Sequence, residues 1–172
     1  MGNKNSAFTE EELQDYEELT YLTKKEVLMA WRRWNGLNKN IEPANAKRAR
    51  IPAHTFQDIP ELKYNPFKIR MTQVFSSEHD NQIGFEDFLD VLSVMSDKAP
   101  IHLKAHYLFR LFDETDDNIL DKYDLAQLVE KVTGEEHLED QEKERVVKKV
   151  LIVFIIFEVF LFRSNRILKL FL

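Results

Sequence analysis

The chain has 172 residues, 44% of them hydrophobic and 31% charged, a composition typical of a globular protein that can bury one core or two small ones. It contains no cysteine, which excludes disulfides and thiol catalysis, and its net charge of -6 argues against nucleic acid as the main partner. Four glycines and five prolines are few, which favours helices over a turn-rich β architecture.

The first residues, MGNKNS, fit the pattern M-G-x-x-x-[ST] and predict N-myristoylation of Gly2. An ordinary polar N-terminus is the alternative interpretation of so short a pattern. Because a single acyl chain gives only marginal membrane binding, a second signal is expected. The basic side chains that could supply it, or that simply form a solvated surface, are Lys4, Lys24, Lys25, Arg32, Arg33, Lys47, Arg48 and Arg50.

Capping boxes predict the starts of the first two helices. Thr9 is followed three places on by Glu12, and Thr23 by Glu26, so each pair can satisfy the free backbone amides at a helix start. The second helix should run to about Trp34. A long loop is predicted over residues 35–52, with further helices over about 54–64, 67–75, 85–95, 102–112, 122–132 and 142–150.

Residues 113–124, DETDDNILDKYD, have the spacing of an EF-hand loop, which surrounds one hard cation with oxygens at places 1, 3, 5, 7, 9 and 12. Four of the loop's carboxylates fall at these places, and packing them together is tolerable only when such a cation neutralises them. The predicted ligands are Asp113, Thr115, Asp117, the backbone carbonyl of Ile119, Asp121 and Asp124.

Apolar residues flank this loop at the spacings that an EF-hand requires. They lie one, four, five and eight places before the loop and at places 13, 16, 17 and 20 after its start. These residues are Phe112, Phe109, Leu108, Ala105, Leu125, Leu128, Val129 and Val132. The competing interpretation is an acidic surface turn between two helices.

The loop departs from the usual EF-hand pattern at two places. Asn118 occupies place 6, where glycine is usual because the backbone there has a positive φ, which Asn tolerates better than most residues. Asp124 occupies place 12, where a bidentate Glu is usual. Its shorter side chain favours octahedral coordination, so we expect one site that Mg²⁺ can fill and for which Ca²⁺ competes.

A second EF-hand loop, SSEHDNQIGFED, is predicted over residues 76–87, with Ile83 at place 8. Ser76 stands at place 1 in place of the usual Asp, so this hand is predicted to keep the fold without binding a metal. The helical patterns at 23–34 and 54–64 indicate a first hand whose loop has lost all of its ligands.

Five segments carry a resemblance to a known family: MGNK at the start, FTEEELQDYEELTYLTKKEVL, IPELKYNPFKIR, FEDFLDVLSVMSDKAP and HLKAHYLFRLFDETDDNILDKYDL. They resemble the calmyrin-like EF-hand proteins of the calcium- and integrin-binding family. The resemblance implies an all-α protein with two lobes of EF-hands, of which the first two hands are metal-free. It also implies myristate on Gly2 and binding to amphipathic helices of partners, such as integrin α cytoplasmic tails, kinases or membrane channels.

The C-terminus departs from the family pattern. Where a fourth acidic loop is expected, the chain reads IVFIIFEVFLFRSNRILKLFL, so the C-terminal lobe is predicted to be incomplete and Leu120 to lack a partner strand. Three interpretations of residues 151–172 remain open: an altered transcript, an apolar helix that covers the third hand, or a membrane-seeking segment. The predicted divisions are 1–22, 23–97, 98–134 and 135–172.

The leading functional hypothesis is a non-enzymatic Ca²⁺/Mg²⁺-binding adaptor, cytoplasmic and held by myristate at the inner face of the plasma membrane. No motif for a nucleophile or a phosphate-binding loop occurs in the chain. The alternatives are a metal-independent scaffold or dysfunctional splice isoform, and a regulatory subunit of a kinase or phosphatase.

Overall fold

A computed structural model describes residues 7–37, 46–134, 139 and 141–149, and the protein has an all-α EF-hand fold. The helices are α1 (Glu10–Leu19), α2 (Lys24–Leu37), α3 (Ala53–Gln57), α4 (Lys68–Phe75), α5 (Phe85–Met95), α6 (Ile101–Phe112), α7 (Lys122–Thr133) and α8 (141–149). Two short strands, β1 (Arg50–Pro52) and β2 (Gln82–Gly84), form one antiparallel sheet. Contacts divide the chain into unit 1, within Met1–Lys63 and Phe75–Pro100, and unit 2, within Tyr64–Val74 and Ile101–Leu172.

Capping boxes begin the first two helices, as the sequence predicts. Thr9 Oγ1 accepts from Glu12 N at 3.1 Å, and Glu12 Oε2 accepts from Thr9 N at 2.7 Å. Thr23 and Glu26 form the same reciprocal pair at 3.3 and 2.7 Å. Hydrogen bonds from Thr23, followed by one from Lys98, lower the pKa of Glu26 to about 2. The second helix is longer than predicted, ending at Leu37.

The prediction of a loop over residues 35–52 is wrong at its end, because Arg50–Pro52 is a strand. It pairs with β2 so that Ile51 lies opposite Ile83, and both side chains are buried. In paired EF-hands the two loops meet through short strands of this kind, so β1 corresponds to the strand of the first hand's loop. The helix predicted at 54–64 is also shorter, since α3 ends at Gln57 ahead of Pro60.

Aromatic side chains from four parts of the chain form the core of unit 1. The Phe85 ring lies 4.9 Å from Trp31, 5.8 Å from Phe8 and 6.0 Å from both Tyr16 and Trp34, measured between centroids. Phe85, Trp31 and Trp34 are buried. Since the chain has two tryptophans and both lie here, tryptophan fluorescence reports specifically on unit 1.

Unit 2 contains the third hand and α8. The buried side chains of Leu125 and Val129 on α7 pack against Val147 on α8, as part of a cluster completed by Ala126, Leu128 and Val146. Leu120 is buried although the described residues of this unit contain no strand. The segment Tyr64–Val74 groups with this unit, whereas the predicted division kept it within 23–97; Phe67 contacts Phe112 with ring centroids 5.5 Å apart.

Two of the sequence predictions concern residues outside the described part of the chain, namely the acylation of Gly2 and the nature of the tail 151–172. Among the helices that the structure does describe, none has the length and apolar character required to cross a bilayer.

Candidate metal centre

The loop of the third hand joins α6 to α7, and its predicted ligands differ in exposure. Asp113 follows directly on α6 and is 3% exposed, while Asp124 lies in the first turn of α7 and is fully buried. The side chains of Thr115 and Asp117 are exposed. Asp121 is the N-cap of α7, and its Oδ1 accepts from the backbone N of Tyr123 at 2.7 Å and of Asp124 at 3.1 Å.

The carboxylate of Asp113 organises the first half of the loop. It accepts from the backbone N of Asn118 at 2.9 Å and of Asp117 at 3.3 Å, and from the hydroxyl of Thr115 at 3.4 Å. The chain can turn so tightly because Asp116 and Asn118 have φ values of 55° and 62°. The prediction that Asn118 adopts a positive φ is confirmed.

The carboxylate of Asp124 closes the second half. Its Oδ1 accepts from Glu114 N and its Oδ2 from Asp121 N, each at 3.0 Å. Burial raises the pKa of Asp124, and the nearby charges of Asp121 and Asp113 raise it further. Three carboxylates therefore interact unfavourably within one partly buried loop, an arrangement that a hard divalent cation would stabilise.

The predicted ligands do not all converge. Asp117 Oδ1 accepts from the backbone N of Ile119 at 2.8 Å. In the described part of the chain, no three acidic or histidine side chains are arranged to hold one ion. Asp113 and Asp124 line the loop interior, and the complete set of six ligands stays a prediction. The available donors are all oxygens, which suit Ca²⁺ or Mg²⁺.

The loop of the second hand repeats this backbone design. Asp87 at place 12 accepts from Ser77 N at 3.2 Å and from Gly84 N at 2.8 Å, which are places 2 and 9, as with Asp124 in the third loop. Places 4 and 6, His79 and Asn81, have φ values of 52° and 59°. The shared pattern shows that both loops are built on the same plan, whatever each binds.

Sequence reasoning missed Arg70, which anchors the third loop. This side chain of α4 is 5% exposed, and its Nη1 donates to Asp116 Oδ2 at 3.0 Å. Its Nη2 donates to the carbonyl of Arg110 at 3.0 Å and also contacts Asp116 Oδ1 and the carbonyl of Asp113. The hydrogen bond with Asp116 is the main reason that the pKa of Arg70 is raised. In the sequence, the one feature that pointed to Arg70 was its position as the last residue of the family-like segment IPELKYNPFKIR.

Two helix–loop–helix loops of one design and the strand pair that joins the first two hands define an EF-hand protein. Among known proteins, calcium and integrin-binding family member 2 of Drosophila melanogaster is 35% identical over 156 residues, which cover 88% of this chain and 82% of that protein. Family member 3 of Homo sapiens is 38% identical and family member 2 of Mus musculus 36%, each over 154 residues with the same coverage. No family model matches. These identities and coverages show that the chain belongs to the calcium and integrin-binding family.

Proposed function

We propose that this protein is a non-enzymatic adaptor that binds one Ca²⁺ or Mg²⁺ ion in its third hand and an amphipathic helix of a partner. The main support is a pair of buried carboxylates, Asp113 and Asp124, at the two ends of a loop of EF-hand design. Both accept hydrogen bonds from backbone amides of that loop. The names of the relatives, which refer to calcium and to integrin, support the same proposal.

Mg²⁺ is proposed to fill the site and Ca²⁺ to compete for it. Each carboxylate oxygen of Asp124 already accepts one backbone amide at 3.0 Å, and the side chain is one methylene shorter than glutamate. Such a group suits coordination through a single oxygen, and octahedral geometry is the preference of Mg²⁺.

Titration calorimetry tests the metal site. We expect wild-type protein to give the heat of one site with Mg²⁺ or Ca²⁺, and Asp113→Asn and Asp124→Ala to remove that heat because each deletes a buried ligand charge. Asp97→Asn, an exposed carboxylate outside the loop, should bind like wild type. Absence of heat in wild-type protein with either ion, or undiminished heat in Asp124→Ala, would contradict the proposal.

Apolar side chains of the third hand support a helix-binding surface. Leu108 on α6 is 38% exposed and Val132 on α7 is 64% exposed, although both stand at flank places that an EF-hand keeps apolar. A partner helix could bury such residues in the helix-in-groove mode, with an ion in the loop setting the angle between α6 and α7. An integrin α cytoplasmic tail, or an amphipathic helix of a kinase, has the chemistry proposed for this partner.

Peptide binding in the presence and absence of metal tests the switch. An amphipathic integrin-tail peptide should elute with the protein on size-exclusion chromatography in Mg²⁺ or Ca²⁺ and separate from it in EDTA. The Asp113→Asn variant serves as the control and should behave with metal as wild-type protein does in EDTA. Equal peptide affinity in EDTA and in metal would refute the switch and leave a metal-independent scaffold.

Membrane attachment through myristate on Gly2, at the inner face of the plasma membrane, is part of the proposal. Several of the basic residues considered as a second signal already pair with acidic side chains. Lys24 lies 2.6 Å from Glu10 and Lys47 lies 2.8 Å from Glu12. We therefore expect these two lysines to contribute less to membrane binding than the sequence suggests.

A further inference from the structure

A largely buried arginine from another part of the chain contacts the loop of the second hand. Arg50 comes from β1, and its side chain is 17% exposed. Its Nε and Nη2 donate to the two oxygens of Asp80 at 3.1 and 2.9 Å, and its Nη1 donates to Glu78 Oε1 at 3.2 Å. Nη1 also lies 3.4 Å from Asp87 Oδ2, and Nη2 donates to the carbonyl of Gln82 at 3.0 Å.

These four partners are groups that an EF-hand loop offers to its ion. In the loop 76–87, Glu78 is place 3, Asp80 is place 5, the carbonyl of Gln82 is place 7 and Asp87 is place 12. We propose that the positively charged side chain of Arg50 replaces the metal ion in the second hand. Its guanidinium takes the ligands that Ca²⁺ or Mg²⁺ would take and holds the loop closed without a metal.

The surroundings of the guanidinium fit this role. Gly84 lies opposite Arg50 in the strand pair, and a Cβ there would come within 3.2 Å of Arg50 Nη1, so glycine leaves room for the charged group. Ser76 at place 1 donates to Asp80 Oδ1 at 3.2 Å and adds no charge. The hydrogen bond with Arg50 lowers the pKa of Asp80, as expected of a carboxylate held by a permanent cation.

An arginine cannot dissociate as an ion does, so unit 1 should keep one arrangement at every Ca²⁺ and Mg²⁺ concentration. A response to metal would then be confined to the third hand. The role of Arg50 does not depend on whether the third loop binds an ion, so the two claims can fail separately.

The test uses full-length protein carrying Asp113→Asn, which disables the third loop, with urea unfolding followed by tryptophan fluorescence. With Arg50 present, we expect the same urea midpoint in EDTA and in millimolar Ca²⁺ or Mg²⁺. Arg50→Gln should lower the midpoint in EDTA, and either ion should restore part of the loss by entering the vacated ligand set. Arg48→Gln, at an exposed neighbouring arginine, should leave the urea midpoint unchanged both in EDTA and with either ion.

Adding Asp80→Asn to Arg50→Gln should abolish the rescue, because the ion then lacks its place-5 ligand. The proposal would be overturned if the urea midpoint depended on the ion while Arg50 is present. It would also be overturned if neither ion restored the midpoint that Arg50→Gln loses. Should Arg50→Gln fail to fold in both buffers, Tb³⁺ luminescence sensitised by the tryptophans decides the matter with Arg50 in place. Absence of bound Tb³⁺ upholds the proposal, and binding that Asp80→Asn removes overturns it.

Discussion

Replacing Phe85 with alanine is expected to lower the free energy of unfolding of unit 1 by about 4 kcal/mol, the typical cost of deleting a buried aromatic side chain. Phe85 is 2% exposed and touches four other aromatic rings, so its removal leaves a cavity and breaks several edge contacts at once. Urea unfolding followed by tryptophan fluorescence measures the loss directly, since Trp31 and Trp34 both belong to this cluster.

Two matched variants separate this packing effect from a general sensitivity to mutation. Phe85→Leu keeps much of the buried volume and should cost roughly 1.5 kcal/mol or less. Leu19→Ala removes an apolar side chain that is 81% exposed and should change the free energy of unfolding by less than about 0.5 kcal/mol. A loss for Phe85→Ala no larger than that for Leu19→Ala would show that the aromatic cluster is not the core of unit 1.

Predictions from the sequence were most accurate for features whose residues lie close together along the chain. The capping boxes at Thr9 and Thr23 lie within one helical turn, and both are present in the structure. The third loop could be located because its spacing and its apolar flanks lie within a short stretch of chain. The positive φ of Asn118 followed from the residue type and its place in that loop.

Long-range pairings could not be predicted in the same way. The strand Arg50–Pro52 is three residues long and pairs with residues about thirty places further on, so neither propensity nor periodicity indicates it. Arg50 resembled a basic surface residue in the sequence, and Arg70 resembled any other charge on an amphipathic helix. Their roles depend on which carboxylates the fold places beside them, which the sequence pattern does not specify.

The two arginines act on their loops in different ways. Arg50 contacts the groups at ligand places of the second loop, whereas Arg70 contacts Asp116, which stands at the non-ligand place 4 of the third loop. Arg70 thus leaves the third loop's side-chain ligand places available while it fixes the backbone around Asp113. Different placement of one residue type fits the proposals of a metal-free second hand and a metal-binding third hand.

Replacing Arg70 with glutamine is therefore expected to lower the free energy for opening the third loop by roughly 2 kcal/mol, within the range for leaving buried polar groups without a hydrogen-bond partner. The variant leaves the carbonyl of Arg110 and the carbonyl of Asp113 without their charged donor, and buried groups that lose a partner are costly. Native-state hydrogen exchange of the amides in residues 113–124 measures this local opening.

Asp116→Asn provides the matched control, because it removes the charge of the exposed partner and leaves the guanidinium on both carbonyls. The side chain of Asp116 is 71% exposed, so this change should cost about 1 kcal/mol or less. The double variant should cost no more than Arg70→Gln alone, since the Asp116 contact is already lost there. Exchange rates in Arg70→Gln equal to those of wild-type protein would mean that the loop holds its shape through Asp113 and Asp124 alone.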